Sequence, residues 1–252
     1  MKSYKKNVVI TAGVRTAVGT LGGSLKNIQS HILGSVVIKE VLKKSQITSN
    51  DVDEVIMGQV LTGAAGQNPA RQAAIQAGLP IDKTAYIINQ VCGSGLRSVA
   101  AGYQAIMSED SNIIVAGGQE SMSNAPYAIN IRNGQKFNKS KLVDTMIKDG
   151  LWDAFNGYHM GITAENVATK WNISRKEQDD FAFSSQTKTE KAQRLGKFKN
   201  EIVPVFLKSK KSDKIFKVDE HPRSGMKMKT LAKLKPVFKK KRNCNSGKCF
   251  WY

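Results

Sequence analysis

The residue best suited to covalent chemistry in this 252-residue chain is a cysteine placed where a strand pattern stops and a helix pattern starts. Cys92 lies in Asn89-Gln90-Val91-Cys92-Gly93-Ser94-Gly95-Leu96. The apolar run Tyr86-Ile87-Ile88 leads into it. After it Leu96, Val99, Ala100, Tyr103, Ile106 and Met107 recur at three- and four-residue spacing, which predicts a helix. Glycines on the C-terminal side allow a sharp turn and close approach of other backbone. The first turn of a helix offers unpaired N–H groups and about half a unit of positive charge, and both favour a thiolate. The pattern has the form of a strand–nucleophile–helix elbow with sulfur in place of oxygen. A lone cysteine also reads as a small buried hydrophobe, and the residues by themselves leave both readings open.

Other reactive side chains carry weaker patterns. His31 opens an amphipathic run (Ile32, Leu33, Val36, Val37, Val41, Leu42) and reads as a surface or cap residue. Val8-Val9-Ile10-Thr11-Ala12 predicts a short buried strand, and Arg15 in the turn after it reads as structural. Arg71 follows Pro69, which suits a first helical turn. His159 in Tyr158-His159-Met160-Gly161 reads as a packed, satisfied histidine, and His221, beside Pro222, as part of a turn.

To place these residues the chain needs strands and helices in alternation. Val52–Gly58 and Asn112–Gly118 are further strand patterns, separated from one another by helical stretches. Such alternation implies right-handed βαβ units, a largely parallel sheet, and functional residues at the carboxyl ends of strands. Residues 123–160 are irregular. Helical spacing resumes at Thr163, and Ser174-Arg175-Lys176-Glu177 has the form of a capping box before a long helix from Gln178 to about Leu195.

Composition bounds the function class. Hydrophobic residues make up 40% and charged residues 23%, ordinary for a globular protein. Three cysteines, with no close framework within the first 240 residues, fit a reducing compartment. No apolar run approaches the ~20 residues of a membrane span, and Val8-Val9-Ile10 is too short for a signal sequence. The expectation is a cytoplasmic protein. The net charge of +19 is uneven: from Lys208 onward there are 15 Lys/Arg against 3 Asp/Glu, and before it 24 against 17. A basic stretch of this kind suits nucleic acid, an anionic membrane surface or a phosphate-bearing substrate. No nucleic-acid motif supports the first of these, and a tail-driven nucleic-acid or membrane binder ranks last.

Asn-x-x-Cys-Gly-Ser-Gly at Asn89–Gly95, followed after a second strand by Ala116-Gly117-Gly118-Gln119-Glu120-Ser121-Met122-Ser123, resembles the thiolase family. The match is best with its short-chain, acetoacetyl-CoA-forming branch, of which Tyr158-His159-Met160-Gly161 is characteristic. The resemblance covers roughly residues 5–240. It implies an α/β fold: a thiolase-type N-terminal half with a mixed, largely parallel sheet flanked by helices, an inserted helical loop domain, and no C-terminal half. The expected domains are 1–121 with the nucleophile, 122–240 covering coenzyme A, and a non-family tail at 241–252. By the same resemblance Cys92 carries the acyl group. Leu151, His159 and Met160 shape the acyl and pantetheine pocket, and Arg223 and Thr230 lie against the nucleotide of coenzyme A. Arg71 falls near a dimer interface. The implied reaction joins two acetyl-CoA into acetoacetyl-CoA, reversibly, with coenzyme A thioesters as substrates and no cofactor or metal. The implied partners are these thioesters, with neither nucleic acid nor membrane, and the family forms homodimers or tetramers. Two other readings stay open: a ketosynthase or hydroxymethylglutaryl-CoA synthase relative, and a non-catalytic acyl-CoA binder or subunit of a split thiolase.

The resemblance ends near Lys240. A permitted coding of Lys241–Tyr252, read one base later, gives Lys-Glu-Thr-Val-Thr-Ala-Gly-Asn-Ala-Ser-Gly, close to what thiolases carry there. The expectation is therefore a frameshifted tail in which Cys244 and Cys249 are accidental. The family's Gly-His-Pro motif, its Cys-x-Gly-Gly-Gly motif and its water-placing asparagine motif do not occur in the 252 residues. The resemblance thus implies that this chain, taken alone, performs no condensation.

Overall fold

In the computed structural model, residues 7–132, 134, 141–208 and 212–239 are described, and the expected tail at 241–252 lies outside them. The first of two compact units holds residues 1–150 and Asn200–Asp219. Its elements begin with β1 (Arg15–Thr16), α1 (Ser30–Ser45), β2 (Glu54–Gly58), α2 (Pro69–Ala77), β3 (Thr84–Ile88), α3 (Ser94–Met107) and β4 (Ile114–Gly118). β2 is the centre of a three-stranded sheet in the order β3-β2-β4. Both pairings are parallel, with Ile56 opposite Tyr86 on one side and Ala116 on the other. The strand–helix alternation read from the sequence is thus realised as parallel βαβ crossovers.

The core lies where α1 and α2 meet the sheet. Val55 and Met57 of β2 pack with Ile38 and Leu42 of α1 and with Ala70, Ala73 and Ala74 of α2. Alanines on α2 let the two helices approach. Pro69 sits in its first turn, where a missing N–H costs nothing, and the Asn68 side chain accepts the Arg71 N–H at 3.2 Å. A left-handed Gly78 at φ 94° ends the helix.

Later segments complete the unit. β5 (Tyr127–Ala128) pairs antiparallel with β6 (Val143–Asp144). A returning stretch supplies β7 (Ile202–Val203), β8 (Val205–Leu207) and β9 (Lys214–Phe216). β7 runs parallel to β1, and β8 and β9 form an antiparallel pair whose Val205 and Phe216 bury with Ala17 and Leu33. Arg15 clasps this return. Its guanidinium reaches Glu201 at 2.7 Å and Asp219 at 2.6 and 2.9 Å, so its role here is structural.

One expectation needs correction. The run Val8–Ala12 forms no strand, and Val9 and Ile10 stand 71% and 81% exposed. An apolar run becomes a strand only with a neighbour to receive its N–H and C=O groups, and among the described residues it has none. The helix expected from the apolar spacing is present as α3, and it turns its small residues inward: Ser94, Ser98 and Gly102 are buried while Leu96, Val99, Tyr103 and Met107 are exposed. The two compact units divide at Gly150/Leu151, and Asn200–Asp219 returns to the first unit.

The second unit, Leu151–Lys199 with residues from Glu220 onward, is mostly helical. It contains α4 (Met160–Lys170), α5 (Arg175–Arg194) and α6 (Met228–Ala232). The expected capping box is complete. Ser174 Oγ accepts the Glu177 N–H, and the Glu177 carboxylate accepts the Ser174 N–H at 2.7 Å. Arg175 NH2 donates to the Leu231 and Leu234 carbonyls, tying the start of α5 to the end of α6. Among the described residues no helix is long and apolar enough to cross a membrane.

Candidate active site

β3 delivers the chain to Asn89, and α3 takes it away from Ser94; the four residues between make the elbow. Val91 is its strained point. At φ 49° a β-branched residue sits in the left-handed region, at a cost of about 1–3 kcal/mol. Side chains on both sides hold it there. Asn89 Oδ1 accepts the Val91 N–H at 3.0 Å. Ser94 Oγ donates to the Val91 carbonyl at 2.6 Å and accepts the Gln90 N–H at 2.9 Å. Backbone turns close the rest, Gly93 N–H to the Gln90 carbonyl and Ser94 N–H to the Val91 carbonyl, each 3.1 Å. Cys92 rides on this frame with its thiol exposed. The expectation of an elbow is met, and the alternative of a buried cysteine is not.

The elbow is seated on the carboxyl ends of β2 and β4 by close backbone contacts, of which the one at Gly58 leaves no room for a side chain. A Cβ on Gly58 would lie 2.4 Å from the Ser94 carbonyl carbon and 2.5 Å from the Gly95 nitrogen. A Cβ on Gly118 would lie 3.3 Å from the Gly58 oxygen and 3.5 Å from the Gly95 Cα. Ser98, fully buried, places Oγ 2.6 Å from the carbonyls of both Gly95 and Gly117. A polar network braces the same strand ends: Gln119 Nε2 donates to Gln59 Oε1, and Gln59 Nε2 to Ser30 Oγ, both at 2.9 Å. Glu120 accepts the Val60 N–H at 2.9 Å, and burial nevertheless pushes its carboxyl up from the usual range. A cavity of about 240 Å³ between residues 12–16, α1 and the end of β4 contains none of the elbow residues.

The remaining sequence-predicted residues belong to the second unit. Leu151 begins it, at the end of a wide helical turn over Met146–Leu151. His159 is the N-cap of α4: its Nδ1 accepts the Gly161 N–H at 3.0 Å, and its ring stacks on Phe238 with centroids 5.1 Å apart. Met160 is the first residue of that helix. Arg223 is exposed, in a turn fixed from α5: Gln186 Oε1 accepts the Arg223 N–H at 3.0 Å, and Ser224 Oγ donates to Glu190 at 2.6 Å. Thr230 is exposed on α6. The structure thus gathers His159, Met160, Arg223 and Thr230 into one unit and places Cys92 in the other. His31 is partly buried with Nδ1 unpartnered among the described residues, and burial lowers its basicity. Arg71 donates to the backbone carbonyls of Ile81 and Lys83.

Sequence reasoning gave no role to Asn89, Ser94, Gly58 or Ser98. The available signal was the polar residues three before and two after the cysteine, together with a strand ending in glycine.

The elbow combines an exposed cysteine, backbone N–H groups at a helix start, and no acidic side chain in the first helical turn, an arrangement that can stabilise an anion. The chain is similar to known proteins. Residues 8–249 match the family model "Thiolase, N-terminal domain". The chain is 54% identical over 239 residues to an acetyl-CoA acetyltransferase of Paracoccus denitrificans, covering 95% of this chain and 61% of that protein. It is 48% identical over 238 residues to a cytosolic acetyl-CoA acetyltransferase of Rattus norvegicus, covering 94% and 60% respectively. The crystal structure of the Bacillus anthracis acetyl-CoA acetyltransferase superposes with a TM-score of 0.91 at 38% identity, over 95% of this chain and 61% of that one. The chain spans about three fifths of the length of these relatives.

Proposed function

The chain belongs to the thiolase family, and from that premise we propose that it takes part in acetyl transfer between coenzyme A thioesters, with Cys92 as the acyl carrier. The observation that carries this reading is the exposed Cys92 on a strained elbow between β3 and the start of α3. In the proposed step the Cys92 thiolate adds to the carbonyl carbon of acetyl-CoA, and the oxygen that gains charge is met by backbone N–H. The C–S bond to coenzyme A then breaks, leaving acetyl-Cys92 and the coenzyme A thiolate. Arg223 and Thr230 take the nucleotide end of the substrate, and Leu151, His159 and Met160 take the pantetheine and acyl end. His159 serves by packing, because its Nδ1 is already committed to capping α4.

Carbon–carbon bond formation asks for more. The family's second cysteine and its Gly-His-Pro histidine do not occur in these 252 residues. The chain by itself is therefore expected to accept an acetyl group and to make no acetoacetyl-CoA. Incubation with acetyl-CoA, followed by intact and peptide mass spectrometry, tests this. The expected result is one acetyl group on the Cys92 peptide, abolished by Cys92→Ser, with no acetoacetyl-CoA in solution. Absence of acetylation, or equal acetylation of Cys92→Ser, sinks the reading; binding of acetyl-CoA without acetylation would favour a non-catalytic acyl-CoA binder.

A further inference from the structure

We propose that Asn89 and Ser94 are positioning residues for acyl transfer at Cys92: they fix the Val91–Cys92 peptide so that the Cys92 N–H faces the developing oxyanion. This rests on the reading of Cys92 as acyl carrier. Val91 sits at φ 49°, a conformation that a β-branched residue leaves readily unless its surroundings hold it. Both peptide planes next to it are held. Asn89 Oδ1 takes its N–H at 3.0 Å, and its carbonyl receives the Ser94 Oγ–H at 2.6 Å and the Ser94 N–H at 3.1 Å.

The carbonyl of Val91 and the N–H of Cys92 belong to one trans peptide, in which they point in opposite directions. Fixing the carbonyl toward the first turn of α3 therefore turns the Cys92 N–H away from it. Among the described residues, the bonds that close the elbow use the N–H groups of Gln90, Val91, Gly93 and Ser94 and pass over that of Cys92. The N–H next to the sulfur is left for a substrate. Ser94 is itself immobile: it is 4% exposed, and its backbone is pressed against Gly58.

The chemistry supplies a discriminating test. Transfer from a thioester passes through an oxyanion. The Cys92 thiolate, its proton lost to buffer, adds to the carbonyl carbon, charge collects on oxygen, and collapse expels the leaving thiolate. Alkylation by iodoacetamide displaces iodide directly and forms no oxyanion. Thiophenyl acetate serves as acyl donor because it needs no coenzyme A binding, and both rates are read on the Cys92 peptide of the full chain by mass spectrometry.

Ser94→Ala is expected to slow acetylation by about ten- to a hundredfold, toward the loss seen when one oxyanion donor is removed. Iodoacetamide alkylation should change less than about twofold, since the thiolate itself is untouched. Asn89→Ala should act in the same direction. Val91→Gly removes the strain that the clamp opposes, and in that background the effect of Ser94→Ala should shrink several-fold. Unchanged acetylation in Ser94→Ala overturns the proposal, as does a fall in which acetylation and alkylation drop by the same factor. A wild-type chain that is alkylated but never acetylated by thiophenyl acetate overturns it together with the acyl-carrier reading. Acetylation by thiophenyl acetate and not by acetyl-CoA overturns only the coenzyme A reading.

Discussion

Helices α1 and α3 lie in the same unit, carry apolar residues at similar spacing, and dispose of them in opposite ways. α1 buries Leu33, Ile38 and Leu42. α3 buries Ser94, Ser98 and Gly102 and leaves Leu96 79% and Tyr103 52% exposed. The difference follows from what each helix does. α1 contributes volume to the core, so bulky side chains point down. α3 has to bring its first turn within backbone contact of β2 and β4, and only small residues allow that approach; a Cβ on Gly102 would already lie 3.2 Å from Ile114 Cγ2. A period of three and four residues announces a helix. It does not say which face the sheet will demand.

The sharpest way to break this contrast is to fill the contact under the elbow. Gly58→Ala would drive a Cβ into the Ser94–Gly95 backbone, and backbone cannot yield as a flexible side chain does. We expect a loss above about 3 kcal/mol in urea unfolding, with loss of Cys92 acetylation even where the chain stays folded. A matched pair of truncations then compares the two helices directly. Ile38→Ala, at a site 1% exposed, should cost about 2–5 kcal/mol. Leu96→Ala, made in the same background, should stay within about 0.5 kcal/mol of the parent. Equal losses would mean that the outer face of α3 is covered in solution.

Charge gives a small and local effect, at the β1 clasp. Burial pushes the Asp219 carboxyl up, but hydrogen bonds from Arg15 and the Val18 N–H, together with the Arg15 charge, hold it below the usual carboxylate range. A carboxyl depressed in the folded state adds stability that is complete above its unfolded value and lost as pH falls through the folded one. With Arg15 a third exposed, about 1 kcal/mol is a fair size after screening. Lowering pH below about 4 should therefore reduce hydrogen-exchange protection, relative to intrinsic rates at the same pH, at the β1–β7 pair before it does so at the elbow. Asp219→Asn should remove that pH dependence.

How much of this was legible in the chain depends on the distance over which each feature is decided. The capping box at Ser174 and Glu177, the Pro69 helix start and the strand–elbow–helix order around Cys92 are local, set by residues within about one turn of each other, and each could be read directly. The fate of Val8–Ala12 depends on a neighbouring strand and could not be. Nor could the inward face of α3, which is chosen by Gly58 and Ile114. The Asn89 and Ser94 hold on Val91 was written in the motif, but its purpose appears only once the positive φ is known. For His159 the spacing suggested a packed histidine, and the structure supplies the partners, a helix cap and Phe238.

The clasp between Arg15 and Glu201 joins residues 186 positions apart, and this fixes an order of events during synthesis. At roughly 5–20 residues per second, a ribosome finishes β4, and with it every strand that seats the elbow, several seconds before Glu201 emerges. The Cys92 platform can therefore assemble from local βαβ contacts while the rim of its unit is still open, and the whole of α4 and α5 is made in the interval. A nascent chain halted before β7 would carry a formed elbow on an unclosed unit, so the thiol is presented early and the fold is sealed late.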